Sequence, residues 1–378
     1  MKGILKLAYK LLVNDKAKFS ALLVGNAFAV FGMMFATCMF VGVLHHSFST
    51  VTNVGASIWV MDPAVQTVAN TIGMPDYVLD SVRSMDGVKY AVPLYSGGAL
   101  VKLNDGTYQS VSVIGLDDTS LFGRPELLQG KIEDIYAENG FIVVRDADFV
   151  KLGNPEIGSE FQLNDHRCVV VGIAKVPASG LFGIPTVYTT YNRAIQYIPS
   201  PRYTISYVLA EPKNPSDVAA IKQQVEALGY LAITQEEFMQ RITNFYVYRT
   251  GMGTNILIMT IISFIVGLSI SGQTFYTFIL ENLERFGALK AIGMRSRELV
   301  GMVLFQASFT ALTGYGLGVG LCTVLITLAK IRLPDYFATI TYFNLGLALV
   351  MVLIIAAVSS YYGARRVLRI EPFDIFRG

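Results

Sequence analysis

Four stretches of this chain, residues 20–44, 256–280, 299–329 and 342–362, contain no Asp, Glu, Lys or Arg. About 20 apolar residues of helix cross a bilayer core, so each run is long enough to span a membrane. The pattern changes between the first and second runs. Residues 46–250 alternate polar and apolar positions in short segments and carry ordinary numbers of charges. Ser57 to Met61 reads as a strand, and Pro75 to Ser84 as a short helix with proline near its start. Ala99 to Leu103, Asn104-Asp105-Gly106 and Tyr108 to Ile114 read as a hairpin, because Asp-Gly supplies the positive φ of a tight turn. A second hairpin is expected from Glu160 to Val176, turning at Asn164-Asp165. Further strands are expected at 187–190, 203–209 and 230–233. Ser216 or Asp217 is expected to cap a helix ending at Leu228. Thr234 and Glu237 have capping-box spacing, and the helix they start is expected to run through Tyr246 into the second apolar run.

The fold class that follows is an α-helical membrane protein with four transmembrane helices and an inserted extracytoplasmic mixed α/β domain of two nested subdomains. Its expected divisions are 1–45 (cytoplasmic N-terminus and first helix), 46–253 (the outside domain, with a strand-rich insertion at about 93–199) and 254–378 (the last three helices and the tail). Charge sets the orientation. The N-terminal flank carries Lys2, Lys6, Lys10, Lys16 and Lys18; the loop after the second run carries Arg285, Lys290, Arg295 and Arg297; the C-terminal flank carries Arg365, Arg366, Arg369 and Arg377. Positive flanks stay inside, which puts both termini in the cytoplasm and 46–253 outside. The first run exceeds the 7–15 residues of a signal-peptide core, so it reads as an uncleaved anchor.

Composition adds exclusions. The formal charge of +2 gives no nucleic-acid footprint. Three cysteines do not make a disulfide framework; Cys38 and Cys322 lie in apolar runs, and Cys168 stands alone in the middle segment as a buried thiol. His45 and His46 sit at the outer end of the first run, His166 in a hairpin turn, and no metal or cofactor set is formed. Asp76, Asp80, Asp146 and Asp148 read as surface charges. No catalytic residue is nominated: His-Glu-x-x-His, Gly-x-Ser-x-Gly and the P-loop are all missing, Gly130-Lys131 lacking the upstream glycine and the hydroxyl. Asn26, Ser269, Ser271 and Gln273 are expected to hydrogen-bond between helices, and Gly314, Gly316, Gly318 and Gly320 to let helices pack closely.

The most informative segment is the inner loop at 281–298. Leu283, Phe286, Leu289 and Ile292 recur at helical spacing with charges between them, and Gly293 is a helix stop. Such a helix either lies on lipid or docks a soluble partner. Its residues Glu284-Arg285-Phe286-Gly287-Ala288-Leu289-Lys290-Ala291-Ile292-Gly293-Met294 resemble the E-x-x-x-L-K-A-I-G-A signature of the MacB/FtsX-type ABC transporter permeases. The ending Ala364 to Asp374, the segment Gly153 to Gly172 and Val113 to Asp117 are similar to further stretches of that family. Gly272 to Thr277 looks closest to DevC-type permeases, which work with a membrane-fusion partner.

The resemblance implies a non-catalytic permease subunit in the bacterial inner membrane. It implies a homodimer served by a separate ABC ATPase subunit that holds the ATP and Mg, with Glu284, Arg285, Phe286, Leu289, Lys290, Ile292, Gly293 and Met294 receiving the ATPase stroke. It also implies a membrane-fusion adaptor and an outer-membrane channel, with export of a lipid, glycolipid or peptide. Alternatives are an FtsX-like regulator that activates a cell-wall hydrolase, a lipoprotein-releasing permease, and a membrane-anchored sensor without an ATPase.

Overall fold

The computed structural model describes residues 2–103, 105–177, 183–198, 204–333 and 336–368. The chain begins with α1 (Lys2–Asn14), α2 (Lys16–Ser47), α3 (Ser49–Val54), β1 (Ile58–Met61), α4 (Asp76–Arg83), β2 (Val88–Lys102) and β3 (Tyr108–Leu116). It continues through β4 (Glu126–Gly130), β5 (Gly140–Val144), β6 (Glu160–Leu163), β7 (His166–Lys175), β8 (Thr186–Thr190), α5 (Tyr191–Tyr197) and β9 (Tyr207–Pro212). It ends with α6 (Val218–Ala227), β10 (Leu231–Thr234), α7 (Gln235–Asn244), α8 (Met252–Glu281), α9 (Leu283–Ala291), α10 (Ser296–Arg332) and α11 (Tyr342–Leu368). Two compact units form: 1–42 with 252–378, and 43–251.

The first unit is helical. Helices α2, α8, α10 and α11 are long and apolar enough to cross a membrane. Their packing rests on small residues, because backbones approach closely only where no side chain intervenes. Gly267 of α8 sits directly against Ala29 of α2, and Gly32 against Ser263. Asn26 of α2 accepts a 2.8 Å hydrogen bond from the Ser271 hydroxyl of α8, so two of the expected polar residues do pair across helices. Ser269 and Gln273 instead lie on the exposed side of α8. Between α10 and α11 the chain folds back: Thr339 N–H donates to Cys38 O at 3.0 Å, and Asn344 Nδ2 contacts Cys38 Sγ at 3.1 Å.

The basic N-terminal flank is more than a charge signal. It forms the amphipathic helix α1, whose Ala8 and Leu12 are fully buried. The buried Gln306 of α10 donates to Ala8 O at 2.8 Å. Ile4, Ala8 and Leu11–Leu12 recur at helical spacing, a signal overshadowed by the lysines.

The second unit is a mixed sheet in the order β10-β1-β9-β2-β3-β8-β5-β7-β4, with β6 off this path and paired to β2 and β7. Pairs β3–β8 and β5–β7 are parallel, the others antiparallel. At one end Trp59 is completely buried between Tyr207 (5.3 Å between ring centres) and Phe238 (5.5 Å). The expected seam near residue 93 falls inside β2, one 15-residue strand. Its first half pairs with β9 and its second with β3, so the two nested pieces meet along one strand while each keeps a buried core of its own.

Several local expectations shift. Both hairpins form, with Gly106 at φ +84 and Asn164 and Asp165 at positive φ; Asn104 lies outside the described residues. The strand expected at 203–209 is β9, starting later, and Tyr203 too lies outside them. Asp217 stands at the expected cap position of α6, but its carboxylate bonds no N–H of that helix; it accepts from Asn214 N–H at 3.0 Å across the turn Pro215–Asp217. Thr234 and Glu237 form the capping box. Their helix does not run into α8: a wide turn, Phe245–Arg249, follows it, and Gly251 at φ +72 breaks the helix, a conformation glycine takes without steric cost. Asp148, expected at the surface, is buried beside Lys151 Nζ at 2.9 Å.

Candidate functional site

The inner loop becomes α9, a nine-residue helix joined to α8 through the single residue Asn282. Asn282 is buried; its Nδ2 donates to Phe278 O at 2.8 Å, and its Oδ1 accepts from Arg285 at 2.9 Å. The end of α8 and the start of α9 are therefore held rigidly together. At the far end Met294 N–H bonds Leu289 O and Gly293 N–H bonds Lys290 O, both at 3.1 Å. This is the paired closure of a helix whose next residue is left-handed, and Gly293 supplies it at φ +105. Arg295 N–H then bonds the Glu298 carboxylate at 2.9 Å and starts α10. Beside this junction, Lys18 of α2 pairs with Glu281 of α8.

The eight residues expected to meet a partner divide between two faces. Phe286 is completely buried in the helical core, and Leu283, Leu289 and Met294 pack partly against it. Phe286 is thus an anchor for α9 and not a contact surface: the first three apolar positions of the stripe need a core to cover them, and α8, α10 and α11 supply it. Lys290 reaches back to Leu368 O at 3.4 Å. Glu284, Arg285, Ile292 and Gly293 are exposed, with Ala288 and Ala291 beside them. Ile292 is 84% exposed, so it drops out of the stripe at the point where the helix ends.

The four glycines of α10 also divide. A Cβ on Gly314 would lie 2.5 Å from Asn26 Cβ, and one on Gly318 2.7 Å from Ala27 O, so these two face α2. A Cβ on Gly316 or Gly320 would meet nothing within 4 Å.

Among the described residues no group of His, Cys, Asp and Glu is arranged to hold a metal ion. His166 stacks on Tyr197 at 4.6 Å, and His45 packs edge-on to Phe48. Cys168 is buried, and burial pushes its thiol up to about 12, so it is an inert side chain. Arg193 escaped the sequence reading. Its guanidinium donates to the carbonyls of Ile135 (2.7 Å), Gly140 (2.6 Å) and Ala137 (2.8 Å), pinning the segment before β5, and burial lowers its pKa. A lone arginine that binds carbonyls and one hydroxyl, Thr189 Oγ1 at 3.3 Å, leaves no spacing signal in a sequence.

Two family profiles cover most of the chain. That of MacB-like periplasmic core domains matches residues 21–228, and that of FtsX-like permease C-terminal regions matches 256–372. The chain is an ABC transporter permease of the MacB/FtsX type. The permease is 26% identical over 337 residues to an uncharacterized ABC transporter permease of Mycobacterium tuberculosis, covering 87% of this chain and 86% of that one. A hemin transport system permease protein of Staphylococcus haemolyticus, HrtB, is 24% identical over 127 residues, 34% of this chain and 35% of that protein. Among solved structures, the extracellular domain of the transporter YknZ aligns with a TM-score of 0.37 at 12% identity, over 47% of this chain and 99% of that one. The periplasmic region of MacB from Actinobacillus actinomycetemcomitans aligns at 0.37 and 13%, over 50% and 93%. The permease is an integral membrane protein with an extracytoplasmic domain of the MacB type, and its relatives are named for transport.

Proposed function

We propose that this permease transmits the stroke of a separate cytoplasmic ABC ATPase, through α9 and the long helices, to its outside domain, and so drives export of a lipid, glycolipid or peptide. The observation that carries the proposal is the build of α9. It is anchored by Phe286, tied to α8 by Asn282 and closed by Gly293, yet it leaves Glu284, Arg285, Ala288 and Ile292 uncovered. A helix that only lay on lipid would need its exposed face apolar, and this one presents two charges. With both termini and α9 in the cytoplasm, the orientation the basic flanks favour, that face meets a soluble partner.

Export is proposed to use a second copy of the permease, a membrane-fusion adaptor and an outer-membrane channel. Support for the second copy comes from α8, whose outward side carries Ser269 and Gln273 among exposed apolar residues; polar side chains on a lipid-facing helix are better placed against another helix. None of the four spans carries a charged residue within its apolar core, which fits force transmission better than ion coupling. Co-purification from native membranes tests the reading. A P-loop ATPase is expected with the wild type and lost with Ile292→Asp, which changes only an exposed side chain. An ATPase bound equally to both would move the docking surface away from α9.

A further inference from the structure

A cleft of about 700 Å³ opens in the extracytoplasmic unit, a size typical of small-molecule sites. Its floor is the back of the sheet. Residues 99, 101, 111, 113 and 187 point into the core of this unit. Their neighbours on the opposite face include Gly98, Ser112 and Thr186, which lie side by side across β2, β3 and β8, with Leu100 opposite Ser110 one step along. The lining adds the hydroxyls of Ser49, Thr50 and Thr67 and the side chains of Val68, Ile184 and Tyr246.

Three features of this cleft point the same way. No Asp, Glu, Lys or Arg lines it, and the imidazole of His46 is its one basic side chain. Burying an unpaired ionic group there would cost several kcal/mol or more, so a charged ligand is disfavoured. The hydroxyls of Ser49, Thr50, Thr67, Ser110, Ser112 and Thr186 make no side-chain hydrogen bond among the described residues, although Ser49 and Thr67 are almost wholly buried. Each hydroxyl both donates and accepts, which suits partner groups that do the same. Strand geometry spaces the floor positions by about 4.8 Å across strands and about 7 Å along them, the scale of one sugar ring. Finally, Gly98 leaves the centre of the floor bare: a Cβ there would meet nothing within 4 Å, whereas one on the adjacent Gly97 would strike the Tyr95 ring at 2.8 Å or closer. A glycine inside a strand with open space above it marks a place where another molecule can approach the backbone.

We infer that this cleft binds an uncharged glycoside, its sugar over Gly98 and the hydroxyl grid and its apolar portion against Val68, Ile184 and Tyr246. The inference rests on the transport reading and narrows its cargo, or a part of the cargo, to neutral glycosylated amphiphiles.

The test uses the full chain in lipid nanodiscs, with phenyl β-D-glucoside as probe, equilibrium dialysis as readout and empty nanodiscs as baseline. Saturable binding is expected, weakened at least tenfold by Gly98→Phe, which fills the floor, and by the double variant Ser112→Ala with Thr186→Val, which removes two hydroxyls without adding bulk. Emission from the sole tryptophan, Trp59, buried elsewhere in the same unit, verifies that each variant is folded. Phenyl phosphate, phenyl glucuronide and an acetylated dipeptide amide are expected not to compete. The inference is overturned by absent saturable binding, by unchanged affinity in both folded variants, or by equal competition from any of the three analogues. ATPase co-purification is measured on the same samples. A chain that holds its ATPase but ignores the glycoside refutes only the ligand class; a chain without an ATPase refutes the transport reading.

Discussion

Replacing each glycine of α10 by alanine separates close packing from mere glycine content. At 314 the added methyl would lie 2.5 Å from Asn26 Cβ, about 1 Å inside ordinary carbon contact. At 318 it would lie 2.7 Å from Ala27 O, a backbone atom that no side-chain rotation can remove. Either change pushes α10 off α2, and overpacking of this kind costs about 1–3 kcal/mol. At 316 and 320 the methyl meets nothing, and removing a mid-helix glycine favours the helix by up to about 1 kcal/mol. The assay is thermal unfolding in detergent, read by a thiol-reactive fluorogenic dye in a Cys168→Ser background. The remaining thiols, Cys38 and Cys322, are then both buried in the helical unit. Gly314→Ala and Gly318→Ala should lower the midpoint by several degrees, at about 2–4 °C per kcal/mol for a unit of this size. Gly316→Ala and Gly320→Ala should leave it unchanged or raise it. Equal loss at all four positions would refute the facing assigned here.

Other expectations follow from single contacts. Gly293→Val forces a β-branched residue to a positive φ and should loosen α9, lowering ATPase co-purification without reducing membrane insertion. Phe238→Ala removes a fully buried ring from Trp59 and should destabilise the outside unit by about 3–5 kcal/mol, with a red shift in Trp59 emission. Arg193→Met removes the guanidinium that bridges the Ile135, Ala137 and Gly140 carbonyls and should increase hydrogen exchange across 135–140 before the rest of the sheet. Cys168 should resist maleimide until unfolding. Its thiol is neutral in the folded state to about 12, against about 9 when exposed, so its contribution to stability is intact below pH 9 and is lost as pH rises from about 9 towards 12. A stability that rose over that window in wild type relative to Cys168→Ala would contradict the assignment.

The membrane-length helices were legible because a bilayer imposes a length and an absence of charge that no soluble element shares. The hairpins were legible through turn residues such as Gly106 and Asn164, whose backbone angles are local. The continuity of β2 was not, since nothing in residues 93–96 tells whether the two nested pieces break or share a strand; Leu94 and Ser96 stay extended because Tyr207 and Ser206 bond to them from over a hundred residues away. In α9 the stripe of Leu283, Phe286, Leu289 and Ile292 revealed the helix but could not assign its sides. An apolar stripe serves a core and a partner equally well, and only the packing of Phe286 against the long helices decides it.

In the proposed mechanism a push on α9 reshapes the outside domain. The most direct test places a spin label at the exposed position 100 in β2 and measures the distance between the two copies of the permease in nanodiscs with the co-purified ATPase. The distance should change on adding ATP, and the change should disappear in Ile292→Asp. An unchanged distance in the wild type while the ATPase turns over would contradict the mechanism.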